Sequence, residues 1–338
     1  MRIAVIGAGG WGTALGILAA RAGHDVRLWS RNRAVVEAIN RERVNGIYLP
    51  GCEVPPGVTA LADLEEAAHE ARILVLAAPS HALRELLSRL REHVGREAVF
   101  VSAAKGIEVE SGERVSEIVS GVMRGHVAAR RFISLSGPSF AREVAAGHPT
   151  AVVAASEDEA LARLVQEALS VQNLRIYTNG DVVGTELGGA LKNVMALAAG
   201  MVAGLGFGSN SVAALVTRGL AEMTRLALAC GARAETMMGL AGLGDLVLTC
   251  TGGLSRNRFV GQELGRGRTL DDVLSGMSEV AEGVRTTKAV RLLAARRGVE
   301  MPIAARVHAV LYEGESPREA VETLMARPLK DEFEDVRV

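Results

Sequence analysis

Aromatic side chains are scarce in this chain: Trp, Tyr and Phe make up 3% of 338 residues. Proteins that grip single-stranded nucleic acid stack bases on such rings, so that mode of binding is disfavoured. A surplus of positive charge is equally missing, because 38 Lys and Arg face 39 Asp and Glu for a net charge of −1. No overall field attracts nucleic acid or an anionic membrane, and an anionic small molecule must find local cations. The three cysteines, Cys52, Cys230 and Cys250, lie far apart without a Cys-x-x-Cys spacing. That pattern indicates neither a disulfide framework nor a zinc site, and it suits a reducing cytoplasm. The seven histidines are scattered too, so no metal is expected. A leader is not expected either, since the apolar start at residues 3–6 is too short for a signal-peptide core and runs into a Gly-rich turn.

What is present is ordinary globular material, 49% hydrophobic and 23% charged, at a length that exceeds what one core usually serves. In the first half, apolar β-type runs at 2–6, 25–30, 73–78, 98–103, 132–136, 150–155 and 174–178 alternate with helical patterns such as 12–21, 82–93 and 157–170. Near-continuous apolar strands suit a sheet covered by helices on both faces. From about Gly188 onward the 3.6 period dominates, through 212–230, 286–297 and 317–325. The expected fold is therefore α/β, an N-terminal Rossmann-type doubly wound sheet followed by an all-α C-terminal domain, with dinucleotide binding in 1–185 and a helical substrate domain in 186–338. No charge occurs between Lys192 and Arg218, and the run contains Gly200-x-x-x-Gly204, a pattern found in membrane helices. Its Ala and Gly content and the polar stretch at 208–211 favour a buried helix instead, and no membrane insertion is expected.

Gly7-Ala8-Gly9-Gly10-Trp11-Gly12 follows the first strand and opens the first helix. In that context Gly7 permits the tight turn, Gly9 lets backbone N–H groups approach a pyrophosphate, and Gly12 lets helix and strand pack closely. The second strand ends in Ser30-Arg31-Asn32-Arg33, where NAD-specific folds place an acid. Arg31 and Arg33 suit a 2′-phosphate there, or are a solvated basic turn. Lys105 follows the strand at 98–103, and Gly137 and Ser139 follow the strand at 132–136, both at the carboxyl edge where open sheets bind ligands. Ser139 is also a candidate helix cap, and Lys105 a candidate surface loop lysine.

Lys192 stands before the long uncharged run, after Gly188-Gly189. A desolvated ammonium tends toward a lowered pKa that suits proton exchange near neutral pH, and snorkelling is the alternative. Asp245 ends a Gly-rich segment, either to cap the following helix or to hold a substrate hydroxyl and a lysine. Ser255-Arg256-Asn257-Arg258 reads as a cap followed by a cationic first turn. Cations are disfavoured at the positive end of a helix, and that misfit points to an anion between them, against the simpler reading of a solvated basic turn.

Together, Gly7–Gly12, Lys105-Gly106, 137–141, 188–193, 239–251, 255–258 and 280–288 resemble, in order and approximate spacing, the bacterial NAD(P)-dependent glycerol-3-phosphate dehydrogenases, over nearly the whole chain. The resemblance implies interconversion of dihydroxyacetone phosphate and sn-glycerol 3-phosphate with NADPH or NADH, in the cytoplasm, supplying phospholipid synthesis, and it is compatible with a homodimer. By it, Lys192 is the proton donor or acceptor, and Lys105, Gly137, Ser139, Asp245, Ser255, Arg256 and Asn257 surround the substrate. Gly10, Trp11, Arg31, Arg33, Lys105, Ala141, Arg256, Val280 and Glu282 contact the cofactor, beside Gly7, Gly9 and Gly12 of the turn. Gly10 departs from the hydroxyl residue common in the family, and Phe259-Val260 from the frequent Arg-Phe. Rival readings are a two-domain dehydrogenase acting on a hydroxy acid or another phosphorylated alcohol, and a non-catalytic NADP-binding sensor.

Overall fold

Strands of four to six residues, apolar on both faces, need a helix layer on each side, and that requirement shapes the first part of the chain. The computed structural model describes residues 1–128, 130–277, 281–329 and 331–332. Its strands are β1 (Arg2–Ile6), β2 (Asp25–Trp29), β3 (Val44–Asn45), β4 (Leu49–Glu53), β5 (Val58–Leu61), β6 (Ile73–Leu76), β7 (Val99–Ser102), β8 (Phe132–Ser136), β9 (Thr150–Ala155) and β10 (Leu174–Asn179). Eight of them form one sheet in the order β10-β9-β8-β7-β6-β1-β2-β5, while β3 and β4 make a separate antiparallel ribbon. All neighbours in the sheet are parallel except β8 and β9. Alternation along the strands divides two cores. Ile3, Val5, Val26, Leu28, Val99 and Val101 pack with Ala14, Leu15 and Leu18 of helix Gly10–Arg21 on one face. Ala4, Ile6, Leu74 and Phe100 pack with Leu83, Leu87 and Ile118 on the other.

The chain clusters into two compact units, Met1–Lys105 with Arg114–Val182, and Gly106–Glu113 with Val183–Val338. The short segment Gly106–Glu113 thus groups with the second unit, which a linear division at 185/186 does not anticipate. Residues 33–68, for which no element was expected, hold helix Arg33–Glu42, the β3–β4 ribbon, β5 and helix Leu64–Ala68. Helix Gly10–Arg21 begins two residues before the expected start, inside the Gly-rich turn.

No strand follows Asn179 among the described residues. Helix Val182–Gly204 is long and apolar enough to cross a membrane, but 89% of its most apolar window is buried inside the protein. The Gly200-x-x-x-Gly204 pattern is absorbed by packing against helix Arg256–Gly265. A Cβ on Gly200 would lie 2.1 Å from the Arg258 carbonyl oxygen, and one on Gly261 2.0 Å from that of Leu197. Two backbones touch there, which only residues without side chains permit.

Candidate active site

β1 sits near the middle of the sheet, between β6 and β2, and its carboxyl end feeds the Gly-rich turn at the position where doubly wound sheets open a ligand crevice. Gly7 has φ +122°, and a Cβ there would lie 2.8 Å from the backbone of Ala77 and Ala78. Gly12 is held tighter still, with a Cβ position 1.9 Å from the Gly7 carbonyl oxygen, whereas the Gly9 position has nothing within 4 Å. Helix Gly10–Arg21 begins with no side-chain cap and no acid in its first turn, so its free N–H groups and dipole suit an anion. Trp11 Nε1 is buried without a hydrogen-bond partner.

Asn32, by accepting from Ala34 N–H, caps helix Arg33–Glu42 between the two arginines. Arg31 and Arg33 are both exposed at the end of β2. Lys105 Nζ donates to the Gly137 carbonyl at 2.9 Å, and Ser139 Oγ donates to the same oxygen at 2.9 Å. The expected grouping of these three residues is therefore a real cluster, although Ser139 does not cap the helix that Ala141 opens. The groups present fit a dinucleotide: an open approach at Gly9, an uncapped helix start, an unused indole N–H and two cations in place of the usual acid.

In the second unit, Lys192 is 7% exposed and Asp245 1%. Lys192 Nζ donates to Asp245 Oδ1 and to Thr249 Oγ1, each at 2.7 Å. Asp245 thus serves the lysine and does not cap its helix, since it is the first residue of helix Asp245–Thr251 with Gly244 at the cap. The burial that disfavours an ammonium is met by a carboxylate at contact distance. Thr249 Oγ1 donates a hydrogen bond to the Asp245 backbone carbonyl at 2.6 Å, so its lone pairs face Lys192. Gly188 makes this meeting possible, because a Cβ there would lie 2.5 Å from the Ala241 carbonyl oxygen, in the π-helical turn Leu240–Gly244 that leads to Asp245. Nearby burial pushes the Cys250 thiol up to about 12, so it stays neutral.

Ser255 caps helix Arg256–Gly265 by accepting from Arg258 N–H, and the first turn contains no acid. Arg256 is exposed and Asn257 buried. The Asn257 side chain is largely committed: Nδ2 donates to Asn193 Oδ1 at 2.9 Å, and Oδ1 accepts from Gly283 N–H at 2.9 Å, beside Glu282. Val280 lies outside the described residues.

Comparisons with known proteins bear on the chain as a whole. The models for the N-terminus and the C-terminus of NAD-dependent glycerol-3-phosphate dehydrogenase match residues 2–162 and 181–322. Proteins named glycerol-3-phosphate dehydrogenase [NAD(P)+] from Koribacter versatilis and Geobacter sulfurreducens are 55% and 53% identical, covering 97% and 98% of this chain and the same shares of their own. The crystal structure of glycerol-3-phosphate dehydrogenase from Coxiella burnetii superposes with TM-score 0.92 at 40% identity, over 96% of this chain and 99% of that one. The chain belongs to the NAD-dependent glycerol-3-phosphate dehydrogenase family. D-mandelate dehydrogenase, at 15% identity and TM-score 0.63, shares the fold alone.

Among the residues gathered around Lys192 and Asn257, sequence reasoning missed Thr249 and Asn193. Thr249 stands four residues after Asp245, a spacing that puts both on one helix face. Asn193 adjoins Lys192 in sequence, but nothing local marks it as the partner of Asn257.

Proposed function

We propose that this chain interconverts dihydroxyacetone phosphate and sn-glycerol 3-phosphate with NADPH or NADH. The observation that carries the reading is the buried Lys192 ammonium clamped by Asp245 and Thr249, in a member of this family. Cofactor binding is assigned mainly to 1–185 and substrate binding mainly to 186–338. Gly7, Gly9, Gly10, Trp11 and Gly12 hold the pyrophosphate side of the cofactor, Arg31 and Arg33 its 2′-phosphate, and Ala141, Val280 and Glu282 complete its contacts. Lys105, Gly137, Ser139, Ser255, Arg256 and Asn257 receive the substrate, with Lys105 and Arg256 serving both ligands.

The bound nicotinamide supplies or accepts a hydride at the carbinol carbon. Lys192 does the rest at the oxygen: in reduction its ammonium donates a hydrogen bond to the ketone and then gives its proton to the developing alkoxide. Asp245 and Thr249 fix the direction in which Nζ points, so little reorganisation accompanies the transfer. Arg256 and the first-turn N–H groups of its helix hold the phosphate. The committed Asn257 side chain adds only its second Nδ2–H. Binding energy from that remote group orients the ketone and so enters kcat as well as KM.

Oxidation of NADPH on adding dihydroxyacetone phosphate tests the reaction directly. Arg256→Ala should then cost about 1.5–3 kcal/mol in kcat/KM with the phosphorylated ketone, the worth of a hydrogen bond to a charged group. With unphosphorylated dihydroxyacetone the same variant should lose much less, and equal losses would remove Arg256 from phosphate recognition. The reading extends to the cytoplasm, whose reducing conditions suit three free cysteines, to a homodimer, testable by light scattering, and to the supply of phospholipid synthesis, testable by glycerol auxotrophy of a deletion strain.

A further inference from the structure

One fully buried polar side chain in the first unit has no place in the chemistry above. Asn45, in the β3–β4 ribbon, is 0% exposed. Its Nδ2 donates to the Ala8 carbonyl at 2.9 Å and to Thr13 Oγ1 at 2.8 Å, and its Oδ1 accepts from Tyr48 N–H at 3.2 Å. Both amide protons are thus spent on the Gly-rich turn, one between Gly7 and Gly9 and one in the first turn of helix Gly10–Arg21. The ribbon that carries Asn45 is itself tied to the sheet edge. Arg43 donates to the carbonyls of Val54 at 2.9 Å, Val58 at 3.0 Å and Pro55, and accepts from Val54 N–H at 2.8 Å through its own carbonyl. From the same ribbon the Tyr48 carbonyl oxygen stands 2.8 Å from where a Cβ on Gly10 would be. That contact accounts for glycine at position 10, because the ribbon occupies the space a side chain would need.

We propose that Asn45 is a positioning residue for the cofactor, holding the dinucleotide turn in its pyrophosphate-binding shape from the β3–β4 ribbon. The inference rests on the nucleotide reading of the turn. Donors aimed at an anion bind well only if their directions are fixed before the ligand arrives. The turn has no side-chain cap to fix them, and the Thr13 hydroxyl alone reaches Ala8 at only 3.4 Å. The Asn45 amide supplies the missing constraint at two points, and burial removes competing water. Replacing it by an acceptor leaves the Ala8 carbonyl and Thr13 facing a group that cannot donate.

The test compares two ligands by calorimetric titration of the full chain: NADPH, which carries the pyrophosphate, and adenosine 2′-monophosphate, which carries the 2′-phosphate without it. Asn45→Asp should raise the Kd for NADPH at least about tenfold, as expected for losing two buried hydrogen bonds, and that for adenosine 2′-monophosphate by less than about threefold. Thr13→Val, which matches the size of Thr13 and removes a single anchor without adding charge, should shift the two ligands in the same unequal way by a smaller factor; it carries the test if Asn45→Asp does not fold. Equal weakening of both ligands, or unchanged NADPH affinity in either folded variant, overturns the proposal. Failure of the wild-type chain to bind NADPH overturns the nucleotide reading itself and the brace with it.

Discussion

The proton-carrying role proposed for Lys192 rests on where it is paired, and the pair sets what a mutation does. Lys192→Ala should lower kcat by about 10²- to 10⁴-fold, the range of a lost general acid, while leaving the KM for NADPH nearly unchanged. It also strands Asp245 as a buried acid without its cation, so a fall in stability accompanies the loss of rate. Steady-state assays well below the melting temperature separate the two effects. Retention of a tenth of wild-type kcat would assign the proton to another group. At the cofactor end, Arg31 and Arg33 are exposed beside a strand that lacks the usual acid. Changing both to Ala should raise the KM for NADPH more than that for NADH, and equal rises would reduce them to surface charge.

Two helix contacts carry predictions at the next scale. The crossing of helices Val182–Gly204 and Arg256–Gly265 brings backbones together at Gly200 and Gly261, and it sets where Arg256 emerges. Gly261→Ala places a methyl 2.0 Å from the Leu197 carbonyl oxygen, so a loss of about 1–3 kcal/mol or more is expected from overpacking. Chemical denaturation measures it, with Gly253→Ala as the control because nothing lies within 4 Å of that site. The second contact is Glu222, 1% exposed in helix Ser209–Ala229, whose two carboxylate oxygens accept from Ile303 and Ala304 N–H at 2.9 Å each, at the start of helix Pro302–Tyr312. Burial pushes its carboxyl from 4.5 up to about 7, opposed by those N–H groups and by Arg225 and Arg327. A raised folded pKa means the native state binds the proton more tightly. The stabilisation is therefore full below the unfolded value of about 4.5 and is lost as pH rises through about 7. The melting temperature of the wild-type chain relative to Glu222→Gln should fall over that window; a pH-independent difference would contradict the raised carboxyl.

At the scale of the whole molecule, the chain forms two units of different build. A sheet with a Gly-rich turn at its switch point is built to receive a dinucleotide, and a helical unit buries one lysine. The fold class was legible because strands covered on both faces are written as continuous apolar runs, and the helical half as a 3.6 period. The β3–β4 ribbon within residues 33–68 was not legible, since β3 has two residues and β4 carries Pro50 and Gly51 inside it, whereas the Asn32 cap and the buried Val35 and Ile39 of helix Arg33–Glu42 were signals that sequence reasoning passed over. The antiparallel pairing of β8 with β9 was hidden too, because direction leaves no mark on composition.

By itself the sequence determined the residues whose chemistry is local. Gly7, Gly9 and Gly12 sit in one turn, Ser255 caps the helix that begins beside it, and Lys192 opens a run without charge. Only the tertiary structure decided the rest. Asp245 reads as a cap or as a lysine partner until Gly188 lets its turn approach helix Val182–Gly204, and Asn257 reads as offering its whole amide to a phosphate until Asn193 and Gly283 take up one Nδ2–H and the Oδ1. Asn45 carries no signal in sequence at all. Its hydrogen bonds reach back 32 and 37 residues, and a contact of that separation depends on how the chain folds back, which no local pattern encodes.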